Sequence, residues 1–120
     1  MRGEEYITKP AQYALVYNDG SSWTSNLLVM KALPNGLNLS RYGFSVSKRV
    51  GKAVARNKVK RLLREILRLT PLKPGWDIIF IARRSVATAD YAKLEKSVKG
   101  LLSQAQLMAE EYEKIRLRID

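Results

Sequence analysis

The hydropathy period changes along the chain, and each change marks an element. Trp76–Ala82 (WDIIFIA) is nearly continuous in β-branched and aromatic residues, the pattern of a central strand covered on both faces. In Arg41–Ser47 (RYGFSVS), Tyr42, Phe44 and Val46 alternate with Gly43, Ser45 and Ser47, which predicts a half-buried strand. Leu27–Leu33 (LLVMKAL) is a compact apolar run, read as another strand, and Pro34-Asn35-Gly36 after it is a turn signal. These two strands are therefore expected to pair as an antiparallel hairpin. Gly20–Trp23 leads into a further, weaker strand.

Three segments carry helical spacing. Pro10–Asn18 reads as a short helix with Thr8 as its cap and Asp19-Gly20 as its stop. Ala53–Leu69 has apolar residues Ala55, Val59, Leu62, Leu63, Ile66 and Leu69 on one side, and ends before Pro71 and Pro74. After Thr88 or Asp90 as cap, Leu94, Val98, Leu101, Ala105, Met108, Ala109, Tyr112 and Ile115 line one side of a long final helix. The order is α-β-β-β-α-β-α, counting the weak strand. It predicts an α+β fold, one domain over residues 1–120 with a small mixed sheet under helices, and termini 1–7 and 112–120 frayed.

Charge changes the picture. The chain has 22 Lys+Arg against 11 Asp+Glu, net +11, and a pI near 10.1. The excess is concentrated: Lys48–Arg68 contains nine Lys or Arg against the single Glu65, net +8. Arg56, Lys60, Arg64 and Arg68 recur every four residues, so a helix presents them as one slowly drifting stripe. A solvated helix face normally mixes signs for i, i+4 pairing, and this one offers almost no acid. Such a face suits a polyanion, nucleic acid first among them. The candidate contacts are Lys48, Arg49, Lys52, Arg56, Asn57, Lys58, Lys60, Arg61, Arg64 and Arg68. Asn57 reads equally as a plain surface residue or as an amide holding a nucleotide. Leu67 sits at the edge of the stripe, against a base or over a neighbouring loop.

Other chemistry is excluded by composition. The chain has no His and no Cys, so His- and Cys-based nucleophile systems, disulfides and the usual zinc ligands are absent. No acidic pair accompanies a cleft motif, so no metal site on the protein and no protein-only active site are expected. No apolar run of ~18 residues occurs, so a membrane span is not expected. With no signal-peptide h-region in MRGEEYITKP, a cytoplasmic location is.

Tyr13 and Tyr17 lie four apart and share one helix face. Their ordinary reading is core, and the alternative is the edge of a groove in which they stack unpaired bases. Arg83 and Arg84 follow the central strand, either as a strand-end charge pair or as part of a binding cleft. Trp23 and Trp76 read as packing residues.

The segment GFSVSKRVGKAVARNKVKRLLRE, Gly43–Glu65, resembles the signature of the bacterial ribonuclease P protein subunit: an S-K-x-x-G-x-A-V loop before an R-N-R helix. Here Arg56-Asn57-Lys58 stands for R-N-R, which keeps the last charge and loses the guanidinium fork. The match is dense over this segment, and the flanking layout extends it to most of the chain. The resemblance implies an α+β fold of the ribosomal-protein type with a left-handed β-α-β crossover. It implies a protein that joins a catalytic RNA to remove the 5′ leader of precursor tRNA. The RNA would hold the Mg²⁺ ions and perform the hydrolysis, and the protein would not be catalytic alone. A leader-binding cleft would take Tyr13, Tyr17 and Met30, with Arg83 and Arg84 at its end, while the basic helix lies on the RNA. The partners implied are ribonuclease P RNA and precursor tRNA, with the protein itself a monomer. The runner-up is a ribosomal or RNA-chaperone-type binding module without a cleavage complex. A third reading is a basic amphipathic helix on a membrane surface, disfavoured because its apolar side has a sheet to cover and carries no Trp or Phe.

Overall fold

A computed structural model of the chain describes residues 6–119, with side chains through Ile115. Its elements are α1 (Pro10–Asp19), β1 (Ser21–Thr24), β2 (Leu28–Pro34), β3 (Arg41–Ser45), α2 (Ala53–Arg68), β4 (Trp76–Ala82), a 3-10 turn (Arg84–Thr88), α3 (Tyr91–Gln104) and α4 (Glu110–Ile119). The four strands form one mixed sheet in the order β1-β2-β4-β3. β1–β2 and β2–β4 are antiparallel, and β3–β4 is parallel, joined across α2.

The expected hairpin between β2 and β3 does not form, because β4 lies between them. The reason is visible in β4 itself: Asp77 through Phe80 are all buried. Only a central position covers both faces of such a strand, and a β2–β3 hairpin would push it to an edge. The turn signal at Pro34-Asn35-Gly36 is real but opens a longer loop. Asn35 N–H donates to Gly75 O (2.9 Å), and Gly75 N–H to Leu39 O (3.1 Å), which ties the loop to the start of β4.

The sheet separates two apolar layers. Leu28, Met30, Ala32, Tyr42, Ile78 and Phe80 face α2 and α3, packing with Val59, Leu63, Ile66, Leu94, Val98 and Leu101. On the other face Ile79 packs with Val16 of α1 and with Ile7, flanked by Tyr13, Leu33 and Ile81. The alternate residues of each strand thus serve opposite layers. At the start of β4, Arg41 grips the buried Asp77 through two bonds (Nε–Oδ1 2.8 Å, Nη2–Oδ2 2.7 Å), and Asn35 Nδ2 donates to Oδ1 (2.9 Å). The hydrogen bond to Asp77 raises the pKa of Arg41.

Three further expectations are corrected. The residue before α1 is Lys9, not Thr8. Gln12 Oε1 accepts from the backbone N–H groups of both Thr8 (3.2 Å) and Lys9 (3.1 Å). The final helix is broken after Gln104: Gln106 adopts φ 58°, and Leu107 and Met108 turn inward to full burial. Lys73 N–H donates to Leu107 O and Ala109 N–H to Pro71 O, so the break docks on the segment after α2. Burial of Leu107 and Met108 favours the break. At the termini, where fraying is expected, Ile7 N–H donates to Tyr42 O (3.0 Å), and residues 110–119 form α4. Residues 1–5 and 120, also expected to fray, lie outside the described residues. In α2, Leu67 is core and Leu69 is exposed, the reverse of the expected assignment.

Candidate nucleic-acid interface

Helix α2 presents the cations. Val59, Leu63, Ile66 and Leu67 are buried on one side, which fixes the rotation of the helix. Each four-residue step overshoots a full turn by about 40°. The row Arg56, Lys60, Arg64, Arg68 therefore begins at the flank of the buried face and rotates outward. Arg56 and Lys60 are half-buried, and Arg64 and Arg68 are exposed, as are Asn57, Lys58 and Arg61. The same drift explains Leu67, which lies in line with Arg56 and Lys60 but at the end of the helix that joins the main core.

None of these cations forms an ion pair among the described residues; the pairs found are Arg41–Asp77 and Lys99–Glu95. Arg56 is the sharpest case. Its Nε is removed from solvent and has no hydrogen-bond partner. An unsatisfied buried donor costs about 1–3 kcal/mol, and a phosphate oxygen supplies the acceptor it lacks.

The loop before α2 is shaped rather than loose. Val50 is buried, Val50 N–H donates to Ser47 O (3.1 Å), and Gly51 N–H to Lys48 O (3.2 Å). Gly51 takes φ 153°, a conformation side chains rarely adopt. Anchored by Val50, the turn leaves Lys48, Arg49 and Lys52 exposed.

The second surface lies on the other side of the sheet. Tyr13 and Tyr17 on α1 have ring centroids 6.4 Å apart. Tyr13 leans onto β3 over Gly43, where any Cβ would collide with its ring and hydroxyl. Burial raises the pKa of Tyr13, Tyr17 adds to the rise, and a hydrogen bond with the Phe44 backbone opposes it. Val16 carries the packing of α1, leaving Tyr17 at the solvent edge. The tyrosines are thus neither core nor free: one is seated on the sheet, the other open beside it.

Met30 does not line this groove. It is fully buried on the face covered by α2 and α3, opposite Phe80 and Trp23 in register. Its neighbours Val29 and Lys31 point the other way and are half-exposed. Lys31 Nζ donates to Tyr17 O (3.2 Å), which places an ammonium beside the aromatic pair. Lys31 is the residue the sequence reading missed. As the lone charge in LLVMKAL, it marks the less covered face and sets the parity of the strand.

Arg83 and Arg84 join the basic loop. Parallel β3 and β4 end side by side, so Ser47 and Arg49 meet Arg83 and Arg84 across a depression of about 690 Å³, which Ile81 and Asn26 also line. Arg83 Nη1 donates to Ser25 O (2.8 Å), holding one side chain against the β1–β2 turn. Ile81 packs beside Tyr13 in the α1 layer and also lines this depression. The cationic depression therefore borders the layer of the sheet that carries the tyrosines. Trp23 and Trp76 pack on the main core, as expected.

Among the described residues no three His, Cys, Asp or Glu side chains gather as a metal site. No helix among them is long and apolar enough to cross a membrane. A small α+β fold with a cationic helix face, unpaired among the described residues, and a pair of tyrosines on the opposite layer defines the class: a basic nucleic-acid-binding protein.

Comparison with known proteins makes this specific. A family model described as Ribonuclease P matches residues 1–106. The chain is 48% identical over 120 residues to the ribonuclease P protein component of Dehalococcoides mccartyi, covering all of both chains. It is 42% identical over 106 residues to that of Caldanaerobacter subterraneus, covering 87% of this chain and 91% of the relative. Among solved structures, the Staphylococcus aureus RNase P protein superposes with a TM-score of 0.81 at 30% identity, covering 88% and 98% of the two chains. The Thermotoga maritima RNase P protein gives 0.74 at 30%, covering 83% and 96%. The chain belongs to the ribonuclease P protein component family.

Proposed function

We propose that this chain is the protein subunit of a ribonucleoprotein that removes the 5′ leader of precursor tRNA. It binds the ribonuclease P RNA through α2 and its preceding loop, and the leader through the groove between α1 and the sheet. The observation that carries this reading is the division of labour across the sheet. Unpaired cations lie on one layer, and Tyr13, Tyr17 and Lys31 lie on the other. Phosphates of a folded RNA suit the first surface, and splayed bases of a single strand suit the second.

The described side chains do not suit a catalytic Mg²⁺. Asp77, the buried carboxylate among the described residues, is held by Arg41 and Asn35, and no three of the described acidic side chains gather to hold an ion. Mg²⁺ is best held by the phosphates of the RNA and its substrate. The chain's own contribution is to neutralise phosphate charge so that RNA and leader approach, and to fix the leader by stacking. Its Lys48, Arg49, Lys52 and α2 cations supply the first, and Tyr13, Tyr17, Arg83 and Arg84 the second. A single copy per RNA, in a soluble cellular compartment, fits this role.

Reconstitution with a bacterial ribonuclease P RNA at low Mg²⁺ tests the proposal. Cleavage of precursor tRNA should be stimulated many-fold by the chain. No stimulation, with the chain folded and in excess, would overturn it.

A further inference from the structure

Helix α3 carries a surface that neither the aromatic groove nor the α2 face uses. Lys93, Lys96, Ser97, Gly100 and Gln104 recur at i, i+3, i+4 spacing and line one trough of about 470 Å³. Its opposite wall is the turn around Asn26. No carboxylate lines it. The two acids nearest along α3 are engaged elsewhere: Asp90 Oδ1 accepts from Lys93 N–H (2.8 Å) at the helix cap, and Glu95 pairs with Lys99 (3.4 Å).

Gly100 is the unexpected residue. A mid-helix glycine is unfavourable relative to alanine. Packing does not demand it, because a Cβ built there meets nothing within 4 Å. Its absent side chain opens the floor of the trough. The walls are pinned: Ser97 hydroxyl bonds Ser25 hydroxyl, Arg83 donates to Ser25 O, and Ser85 hydroxyl donates to Asn26 O. Asn26 lines both this trough and the depression holding Arg49, Arg83 and Arg84. One residue therefore separates the cationic end of the groove from the trough on α3.

We propose that the α3 trough is a second single-stranded RNA contact, taking leader nucleotides upstream of those held in the groove. The inference rests on the leader reading above. A strand leaving Arg83 and Arg84 crosses the Asn26 ridge, and its backbone settles over Gly100. Lys93 and Lys96 meet its phosphates, and the Asn26 and Gln104 amides face its bases.

The test uses the reconstituted holoenzyme with precursor tRNAs bearing a leader that ends within the groove or one that extends well past it. Lys93→Ala with Lys96→Ala should weaken the long-leader substrate by about fivefold, lower its salt slope by about 1.4, and leave the short-leader substrate unchanged. Gly100→Leu should fill the trough, with the same selective loss and an unchanged or higher Tm. The chain has no cysteine, so Lys96→Cys gives a single attachment point for a photo-crosslinker. Crosslinks to the upstream leader support the proposal; crosslinks to the ribonuclease P RNA instead overturn it. Tyr17→Ala is measured in parallel. If it lowers leader-dependent affinity while the α3 variants do not, only this inference falls. If none of these variants distinguishes long from short leaders, the leader reading falls with it.

Discussion

The α2 face and the α1–sheet groove are built on opposite layers of one sheet and work by different physics. The α2 face is a row of cations on one rigid helix, and its affinity is long-range, salt-dependent and nearly indifferent to sequence. The groove has a pair of aromatic rings, one lysine and a cationic end, contributed by α1, β2, β3, β4 and the loops that follow them. Its contacts are short-range and depend on register. A surface carried by one helix tolerates small shifts of its neighbours. A surface assembled from four elements and their loops fails if one strand slips by a residue.

The largest expected effect separates the two. Replacing Arg56, Lys60 and Arg64 together by alanine should weaken ribonuclease P RNA binding on the order of a hundredfold. The slope of log affinity against log salt should fall by about 2 to 3. Binding of substrates with and without a leader should be affected alike; a loss confined to leader-bearing substrate would erase the distinction between the surfaces.

Met30→Ala against Lys31→Ala sharpens the parity of β2. Met30→Ala opens a cavity in the main core and should cost about 2–5 kcal/mol in denaturant unfolding, with leader selectivity intact. Lys31→Ala should change stability by less than about 0.5 kcal/mol and reduce affinity only for substrates with a leader. Reversal of these two outcomes would put Met30 back on the groove floor.

Tyr17→Ala tests stacking alone. A lost base–aromatic contact is worth about 1–3 kcal/mol, so leader-bearing precursor should bind roughly tenfold more weakly, and leaderless tRNA unchanged. Equal losses on both would remove Tyr17 from the groove.

The smallest effect is the alkaline behaviour of Tyr13. Its pKa is raised above the ordinary 10.0 by burial and by Tyr17. The neutral form is thus favoured in the folded state. Its contribution to stability is complete below pH 10 and is lost as pH rises through the raised value. Tyr13→Phe should flatten that part of the stability profile, measured by denaturant midpoints across the alkaline range. An unchanged profile would mean that the hydroxyl is not held as described.

Much of this was legible beforehand, and the failures have a common cause. The α2 stripe needed only the 3.6-residue period, because one helix carries it. β4 declared its central place through its own composition. What misled was pairing and parity. A turn after β2 suggested a hairpin, yet nothing local says that a strand from some forty residues later inserts there. Met30 was placed one residue off, because a strand's face is set by which neighbour covers it. The helical pattern through Ala105 and Met108 continued past the break, since the break is held by hydrogen bonds of Leu107 to Lys73 and of Ala109 to Pro71, distant in sequence.

The amino-acid order by itself determined the cation row and the family signature in Gly43–Glu65, because each is written within one contiguous segment, and composition alone excluded histidine and cysteine chemistry. Tertiary structure alone decided that β4 separates β2 from β3, that Lys31 rather than Met30 meets the tyrosines, and that Arg49 meets Arg83 and Arg84. These depend on hydrogen-bonded register and on the burial of both faces of the sheet, which are properties of segments brought together and not of any one of them.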